Sequence, residues 1–206
     1  MFCVPLRNWR SNIVSYTIQC QIVAQEPPKV EHHCQACKKS AEFYCSEKFR
    51  VNAQQKHIDV WLIYKCVYCD STWNLPVISR VRIGGIDKNL YQKFMNNDRE
   101  TAWTYAFQIE RLRKLCNSVN TNIKYTTVSK PIKLESGDVT IHLVSPYKFD
   151  LRLDKLLVQV LGISRSKLYQ MVEGGRIRTK PQVSIKHKIK HDVEITIKGE
   201  ASNITF

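Results

Sequence analysis

"CQACKKSAEFYCSEKFRVNAQQKHIDVWLIYKCVYC", residues 34–69, begins and ends with a C-x-x-C pair. Zinc prefers four thiolate or imidazole ligands in a tetrahedral arrangement, and each C-x-x-C turn directs two thiolates at one ion. The two turns together complete the coordination shell. The spacing therefore predicts a structural zinc site, with no open position for a reacting water, formed by four residues: Cys34, Cys37, Cys66 and Cys69.

The 28 residues between the two pairs predict a long β-hairpin. Segments 43–51 and 58–66 are rich in aromatic and β-branched residues, and NAQQK at 52–56 provides a turn between them. Two C-x-x-C turns joined by such a hairpin form the layout of a zinc ribbon. We therefore expect an N-terminal zinc-ribbon hairpin followed by helices.

Other roles for the cysteines and histidines were weighed against this interpretation. A redox pair of the thioredoxin kind has a single C-x-x-C beside a βαβ pattern, which this sequence lacks. Cys45, His32 and His33 are alternative ligands; we interpret them as a strand residue and surface histidines, because the paired turns already supply four thiolates. The remaining cysteines have no partner spacing and are interpreted as core or incidental thiols: Cys3, Cys20 and Cys116.

The chain as a whole is strongly basic. Its 206 residues include 32 Lys plus Arg against 18 Asp plus Glu, a net charge of +14. This balance favours a nucleic acid, an anionic membrane surface or an acidic protein as partner. The N-terminus lacks the continuous apolar segment of a signal peptide, and the longest strongly apolar run, at 60–64, is far shorter than the roughly 20 residues of a membrane helix. We expect a soluble cytoplasmic protein without a membrane partner.

The ribbon segment resembles a known family. The run FYCSEKFRVNAQQKHIDVWLIYKCVYCDSTWN at 43–74, with CQAC before it, is similar to a bacterial family catalogued as domain of unknown function 1062. The resemblance extends over most of the chain. It implies a small bacterial cytosolic protein with an N-terminal zinc ribbon, and the family name supplies no biochemical activity.

The middle of the chain predicts helices. Apolar residues recur at helical spacing through 97–116, and Asn97 and Glu100 have the spacing of a capping box. A shorter helix is expected at 87–95. We interpret both as packing helices.

Residues 117–138 contain few apolar positions, and they predict a domain boundary. An alternating strand at 139–144 follows. We therefore predict an α+β protein with a ribbon domain at 1–120, a linker at 121–138 and a second domain at 139–206.

Residues 153–179, LDKLLVQVLGISRSKLYQMVEGGRIRT, predict two short helices and a strand. Gly162 ends the first helix and Ser164 caps the second, which ends at a pair of glycines. Arg165 and Lys167 lie in the first turn of the second helix, where the helix dipole favours acidic residues. Because two cations there are unfavourable for stability alone, we expect a bound phosphate to supply the anion, and we expect their replacement by Ala to leave stability unchanged or slightly raised.

The order RLDKLL, SRSKL and VEGGRI in this segment resembles the S four-like RNA-binding domain, named for a small-subunit ribosomal protein. In that family two helices and a β-turn form a basic face for structured RNA. This chain departs from the family at 179–182, where TKPQ replaces an Asn-Gly turn, and at 191–192, where His-Asp replaces Gly-Asp. The resemblance implies an RNA-binding surface that includes Arg152, Lys155, Ser164, Arg165, Lys167 and Arg176. Arg178 and Lys180 complete the predicted surface, because the cations from Arg165 to Lys180 are expected to cluster around the start of the second helix and the turn that faces it.

The distribution of charge supports this resemblance. Residues 152–191 contain 10 Lys plus Arg against two acidic residues, a net charge of +8. The alternative is a solvated basic face without a ligand. We expect a non-catalytic, zinc-stabilised protein that binds structured ribosomal RNA, transfer RNA or a ribosomal particle. Folded RNA is favoured over single strands because Tyr169 is the only aromatic residue among the helical positions.

Two other classes of function are retained as alternatives. A zinc-ribbon regulator would bind DNA or dock a protein through the ribbon. An RNA-modifying enzyme would need a catalytic fold, for which residues 70–138 are too few, and a nucleophile paired with a base, which we do not find in the sequence.

Overall fold

The computed structural model describes residues 15–54, 56–132, 137–186, 188–189 and 193–199. The chain divides into two compact units. The described residues of the ribbon unit fall within Val23–Thr126 and Pro146–Leu151. Those of the C-terminal unit fall within Met1–Ile22, Thr127–Ser145 and Arg152–Phe206.

The described residues form an α+β arrangement with two five-stranded sheets. In chain order the strands are β1 (Ser15–Ala24), β2 (Lys29–Cys34), β3 (Lys39–Gln54), β4 (His57–Cys66), β5 (Thr72–Arg82), β6 (Ser118–Asn120), β7 (Tyr125–Val128), β8 (Asp138–Val144), β9 (Leu151–Arg152), β10 (Ile177–Lys180), β11 (Lys188–Ile189) and β12 (Glu194–Ile197). The α-helices are α1 (Lys88–Met95), α2 (Arg99–Ala106), α3 (Ile109–Leu112), α4 (Leu153–Leu161) and α5 (Arg165–Glu173). None of the described helices has the length and apolar content needed to span a membrane.

The ribbon unit is built on a sheet with the strand order β5-β4-β3-β2-β6, in which neighbouring strands pair antiparallel. Alternate residues of β4 are buried, because successive side chains of a strand point to opposite faces. The buried face packs against apolar residues of the three helices, including Phe94, Ala102 and Leu112. The hairpin predicted from the sequence is therefore confirmed, with β3 longer than expected.

The predicted single helix at 97–116 is wrong in its limits, because the chain forms two helices there. Asp98 caps α2 by accepting a hydrogen bond from the Thr101 amide at 2.9 Å. Asn97 instead accepts the amide hydrogen of Phe49 in β3 at 2.7 Å. The first helix ends at Phe107, whose ring stacks on Tyr147 at 4.4 Å. The shorter helix expected at 87–95 is confirmed as α1.

The C-terminal unit contains the sheet β10-β12-β8-β1-β7 and a separate pair, β9 with β11. The predicted strand at 139–144 is confirmed as β8. Strand β1, which the sequence analysis placed in the ribbon domain, pairs in parallel with β8. Residues 15–22 therefore belong to the C-terminal unit, and β7 lies within the segment predicted as a linker.

The two predicted C-terminal helices are confirmed with their caps. Helix α4 ends at Gly162, which has a φ of 63° in the left-handed region that glycine adopts without strain. Helix α5 begins after Ser164, whose hydroxyl oxygen accepts the amide hydrogen of Lys167 at 3.2 Å. The His-Asp step at 191–192 lies outside the described residues.

Candidate metal centre and nucleic-acid interface

The antiparallel meander brings the two C-x-x-C turns together. The β2–β3 and β4–β5 turns lie at the same end of the sheet, because β3 runs away from that end and β4 returns to it. The sulfur atoms of Cys34, Cys37, Cys66 and Cys69 all lie within 4.8 Å of one another. A tetrahedral site with Zn–S bonds of about 2.3 Å places its sulfurs about 3.8 Å apart. The four cysteines are thus clustered as a candidate metal site, consistent with structural zinc.

The two turns have the same local design. The residue after the second cysteine of each turn has a left-handed backbone, with φ of 53° at Lys38 and 56° at Asp70. Ser71 lies between the turns, with its hydroxyl oxygen 3.0 Å from the Cys34 sulfur and 3.1 Å from the Cys69 sulfur. Ser71 was not among the predicted site residues, because its position at the site follows from the pairing of the hairpins.

The ionisation of the cluster shows why it suits a cation. Hydrogen bonds from the Ser71 hydroxyl and then the Cys37 amide lower the pKa of Cys34 to about 6. Hydrogen bonding with Cys69 and Cys34 raises the pKa of Cys37 to about 12. Hydrogen bonds from the Ser71 hydroxyl and amide also lower the pKa of Cys69, so thiolates are favoured at Cys34 and Cys69, whereas a further negative charge at Cys37 is disfavoured. A divalent cation would remove this repulsion and allow all four sulfurs to act as thiolate ligands.

The alternative ligands lie elsewhere on the ribbon. Cys45 is buried on β3, and burial raises the pKa of its thiol to about 12. The imidazole of His32 packs on the ring of Trp73 with a centroid distance of 4.4 Å. Within the described residues, the four-cysteine cluster is the one group of three or more side chains with metal-ligand geometry.

In the C-terminal unit, a buried carboxylate organises the starts of α4 and α5. The side chain of Asp154 has 0% exposure. It accepts two hydrogen bonds from the Arg152 guanidinium, at 2.8 and 3.1 Å, and one from the Tyr169 hydroxyl at 3.2 Å. The Arg165 guanidinium lies 3.8 Å from the same carboxylate. We call these four residues the Asp154 cluster.

These contacts keep Asp154 ionised. Burial by itself would raise its pKa, but hydrogen bonds from Arg152, the Lys155 amide and Tyr169 outweigh that effect, so the pKa of the carboxyl is lowered. Asp154 therefore supplies an anion to Arg165 from within the chain. We therefore expect the removal of Arg165 to lower stability, in place of the unchanged stability expected from the sequence, because its loss takes a counter-charge from a buried carboxylate.

Three further cations lie beside members of the Asp154 cluster, two of them in the sequence and one in the fold. Lys155 and Lys167 are exposed in the first turns of α4 and α5, and neither side chain has a polar partner among the residues described. The Lys186 ammonium lies over the Tyr169 ring, 5.3 Å from its centroid. Lys186 was not among the predicted site residues, because it reaches Tyr169 only through the tertiary fold.

The remaining predicted RNA-binding residues occupy different places. The Ser164 hydroxyl is engaged as the cap of α5, and the Arg176 guanidinium donates to the Lys198 carbonyl at 3.2 Å. Arg178 and Lys180 are exposed on β10, on the face opposite the buried Ile177. Because α5 contacts β10 and the buried stripes of α4 and α5 need an apolar surface, we place the helices against the Ile177 face. We therefore infer that Arg178 and Lys180 lie on the sheet face turned away from the helices, whereas the sequence predicts one cluster with the helix starts.

Comparison with known families identifies the family of this chain. The model of the family described as Protein of unknown function (DUF1062) matches residues 51–183, which are 133 of the 206 residues of the chain. The chain belongs to the DUF1062 family. The DUF1062 match includes Cys66 and Cys69 together with α4 and α5, and it begins after the first C-x-x-C pair. No curated protein and no solved structure matches the chain.

Proposed function

We propose that this DUF1062 protein is a non-catalytic RNA-binding protein, with zinc stabilising the ribbon unit and an S four-like C-terminal unit binding structured RNA. The resemblance in residues 152–179 indicates ribosomal RNA, transfer RNA or a ribosomal particle as the target. The succession of α4, α5 and β10 is compatible with this proposal.

The grouping of cations around Asp154 is the observation that carries the proposal. Two cations contact the one buried carboxylate, a third covers the Tyr169 ring, and two more are exposed in the same first turns of α4 and α5: Arg152 and Arg165, Lys186, and Lys155 and Lys167. An approaching polyanion therefore meets exposed cations and not the carboxylate. The N-termini of α4 and α5 add partial positive charge at the same place. Such a surface suits the closely spaced phosphates of folded RNA.

A salt series with a hairpin RNA tests this surface. Replacing Lys155 and Lys167 with Ala removes two cations that do not hold Asp154. Each lost phosphate contact should flatten the dependence of log affinity on log salt by about 0.7 to 0.9. The matched control replaces Lys88 and Lys93, two exposed lysines of α1 in the ribbon unit. Equal affinity and slope in the wild type and the Lys155/Lys167 variant would contradict the proposal.

Specificity for RNA is measured by competition at matched salt. Folded RNA should displace a labelled hairpin RNA at a lower concentration than duplex DNA does, because the proposed surface reads backbone shape. Stronger competition by duplex DNA would favour a DNA-binding regulator instead.

In this proposal zinc has a structural role. When bound, the ion would neutralise the four thiolates and join the two hairpin turns, so that metal binding and folding of the ribbon are coupled. The four cysteines hold the ion and leave no coordination position for a substrate.

One observation favours protein docking as a second candidate function. Val67 and Tyr68, between the cysteines of the second turn, are 40% and 68% exposed. The Lys39 ammonium lies 4.7 Å from the Tyr68 ring centroid. Together these neighbouring side chains offer a small exposed apolar surface to a protein partner. Recovery of a protein partner after nuclease treatment, lost on replacing Tyr68 with Ala, would support this function.

A further inference from the structure

We propose that the ribbon unit has a second nucleic-acid site, which binds single-stranded RNA on the sheet face turned away from the helices. This site is separate from the Asp154 cluster, and its existence does not depend on the proposed function of the C-terminal unit. We call it the ribbon outer face and define it by residues of three neighbouring strands: Lys48, Arg50, Trp61, Ile63, Lys65, Asn74 and Pro76.

Strand register places these residues on one face. Arg50 of β3 pairs with Trp61 of β4, which pairs with Pro76 of β5. The next rung toward the metal centre is formed by Lys48, Ile63 and Asn74 in the same manner. The alternate residues of β4, such as Leu62, are buried against the helices.

The ribbon outer face combines cations with an aromatic surface. Lys48 and Arg50 are exposed, and Trp61, Ile63 and Lys65 are half-buried. The Arg50 guanidinium lies 6.0 Å from the Trp61 ring centroid, so the cation and the aromatic ring form one surface. The starts of α4 and α5 offer a base no such open ring, because Lys186 already covers the ring of Tyr169 there.

Charge decides what this face accommodates. Lys48, Arg50 and Lys65 share this face with two acidic residues that have other partners. The Asp59 carboxylate accepts the backbone amide hydrogen of Arg80 at 2.8 Å, and Glu42, nearer the metal centre, forms an ion pair with Lys29 at 3.3 Å. Lys48 and Arg50 are two residues apart on one strand, a separation of about 7 Å that is similar to the spacing of phosphates in an extended strand. If a base stacked on Trp61, the phosphate backbone of its nucleotide would lie beside Lys48 and Arg50. Aromatic stacking beside a basic track is how proteins hold single strands without reading sequence.

A labelled uridine oligomer of about 12 nucleotides tests the site on the full chain. Uridine oligomers form no duplex, so they do not offer the folded RNA that the Asp154 cluster is proposed to bind. Replacing Trp61 with Leu should weaken binding about 5- to 150-fold, the effect of losing one stacked base. Replacing Trp61 with Phe should retain most of the affinity and abolish the oligomer-induced quenching of tryptophan fluorescence. A purely structural role for Trp61 would not separate affinity from quenching in this way.

A second variant tests the site without altering the aromatic residue. Replacing Lys48 and Arg50 with Gln changes only exposed side chains. This variant therefore still tests binding at the ribbon outer face if the Trp61→Leu variant fails to fold. This variant should flatten the salt dependence of oligomer binding by about 0.7 per lost contact. The matched control replaces Lys88 and Lys93 with Gln on α1, across the sheet from the ribbon outer face. The control should bind the oligomer as the wild type does.

Hairpin RNA separates this site from the one proposed in the C-terminal unit. The Lys155/Lys167 variant should lose affinity for hairpin RNA and keep affinity for the uridine oligomer, and the Lys48/Arg50 variant should show the reverse. Failure of the wild type to bind the oligomer, or equal binding by the wild type and the Lys48/Arg50 variant, would overturn the second site. A nuclease-resistant protein partner lost on replacing Trp61, with no oligomer bound, would overturn it in favour of a protein interface.

Discussion

Arg165 and Lys167 stand in the same helical turn, but the structure predicts opposite effects of removing them on stability. Both are exposed cations in the first turn of α5, where the helix dipole disfavours positive charge. Only Arg165 contacts the buried carboxylate of Asp154, at 3.8 Å. A single Ala substitution at either position removes one cation, but only the substitution of Arg165 also removes the contact with Asp154.

The size of the difference follows from the distance. At 3.8 Å and an effective dielectric constant of about 20, the attraction between unit charges is about 4 kcal/mol. The Arg165 side chain is 54% exposed, so solvent screening leaves a net contribution of about 1 kcal/mol. Either substitution also removes the unfavourable interaction of a cation with the helix dipole, which stabilises the folded state by about 0.5 kcal/mol. We expect Arg165→Ala to destabilise the C-terminal unit by about 0.5 kcal/mol and Lys167→Ala to stabilise it by a similar amount.

Amide hydrogen exchange in α5 and β12 is the suitable assay, because it reports on the C-terminal unit alone. A difference of about 1 kcal/mol between the variants corresponds to about a fivefold difference in exchange rate. Arg165→Lys serves as the control, since it keeps a cation at the position. Equal exchange rates in the two Ala variants, or slower exchange in Arg165→Ala, would show that Asp154 does not depend on Arg165.

Three other predictions concern the metal centre, the pH dependence and the exposed face of β10. Purified protein should contain one zinc per chain by elemental analysis, and Cys69→Ser should lose the metal and destabilise the ribbon, because binding and folding are coupled; metal-free wild type in zinc-replete reducing buffer would contradict this. The pKa of Asp154 is lowered in the fold, so its ionised form stabilises the C-terminal unit at pH values above the unfolded pKa of about 3.9, and this stabilisation is lost as the pH falls below that value. Between about pH 5 and about pH 2.5, exchange protection of the C-terminal unit should therefore depend less on pH in Asp154→Asn than in the wild type. Replacing Arg178 and Lys180 with Ala should change hairpin-RNA affinity less than replacing Lys155 and Lys167, and an equal loss would mean that both faces of the sheet contact the RNA.

Sequence by itself determined the elements whose cause is local. The spacing of the two C-x-x-C pairs and the alternating strands between them were enough to predict the four cysteines at one site and the hairpin that joins them. Gly162 and Ser164 were enough to place the end of α4 and the start of α5, because a left-handed residue and a capping hydroxyl act on the nearest turn of the chain.

The tertiary structure decided which side chains meet. Asp154 and Arg165 are 11 positions apart, and their contact depends on the angle at which two helices pack. The sequence therefore showed Arg165 and Lys167 as cations at a helix start without revealing the carboxylate that Arg165 contacts. The parallel pairing of β1 with β8 joins segments more than 100 residues apart and has no local signature. The alternation of apolar and polar residues along β10 is visible in the sequence. Which face of the sheet the helices cover is not, and this decides whether Arg178 and Lys180 lie on the same side of the sheet as the helices. These features follow from long-range packing, in which the free energy depends on surfaces brought together only in the folded chain.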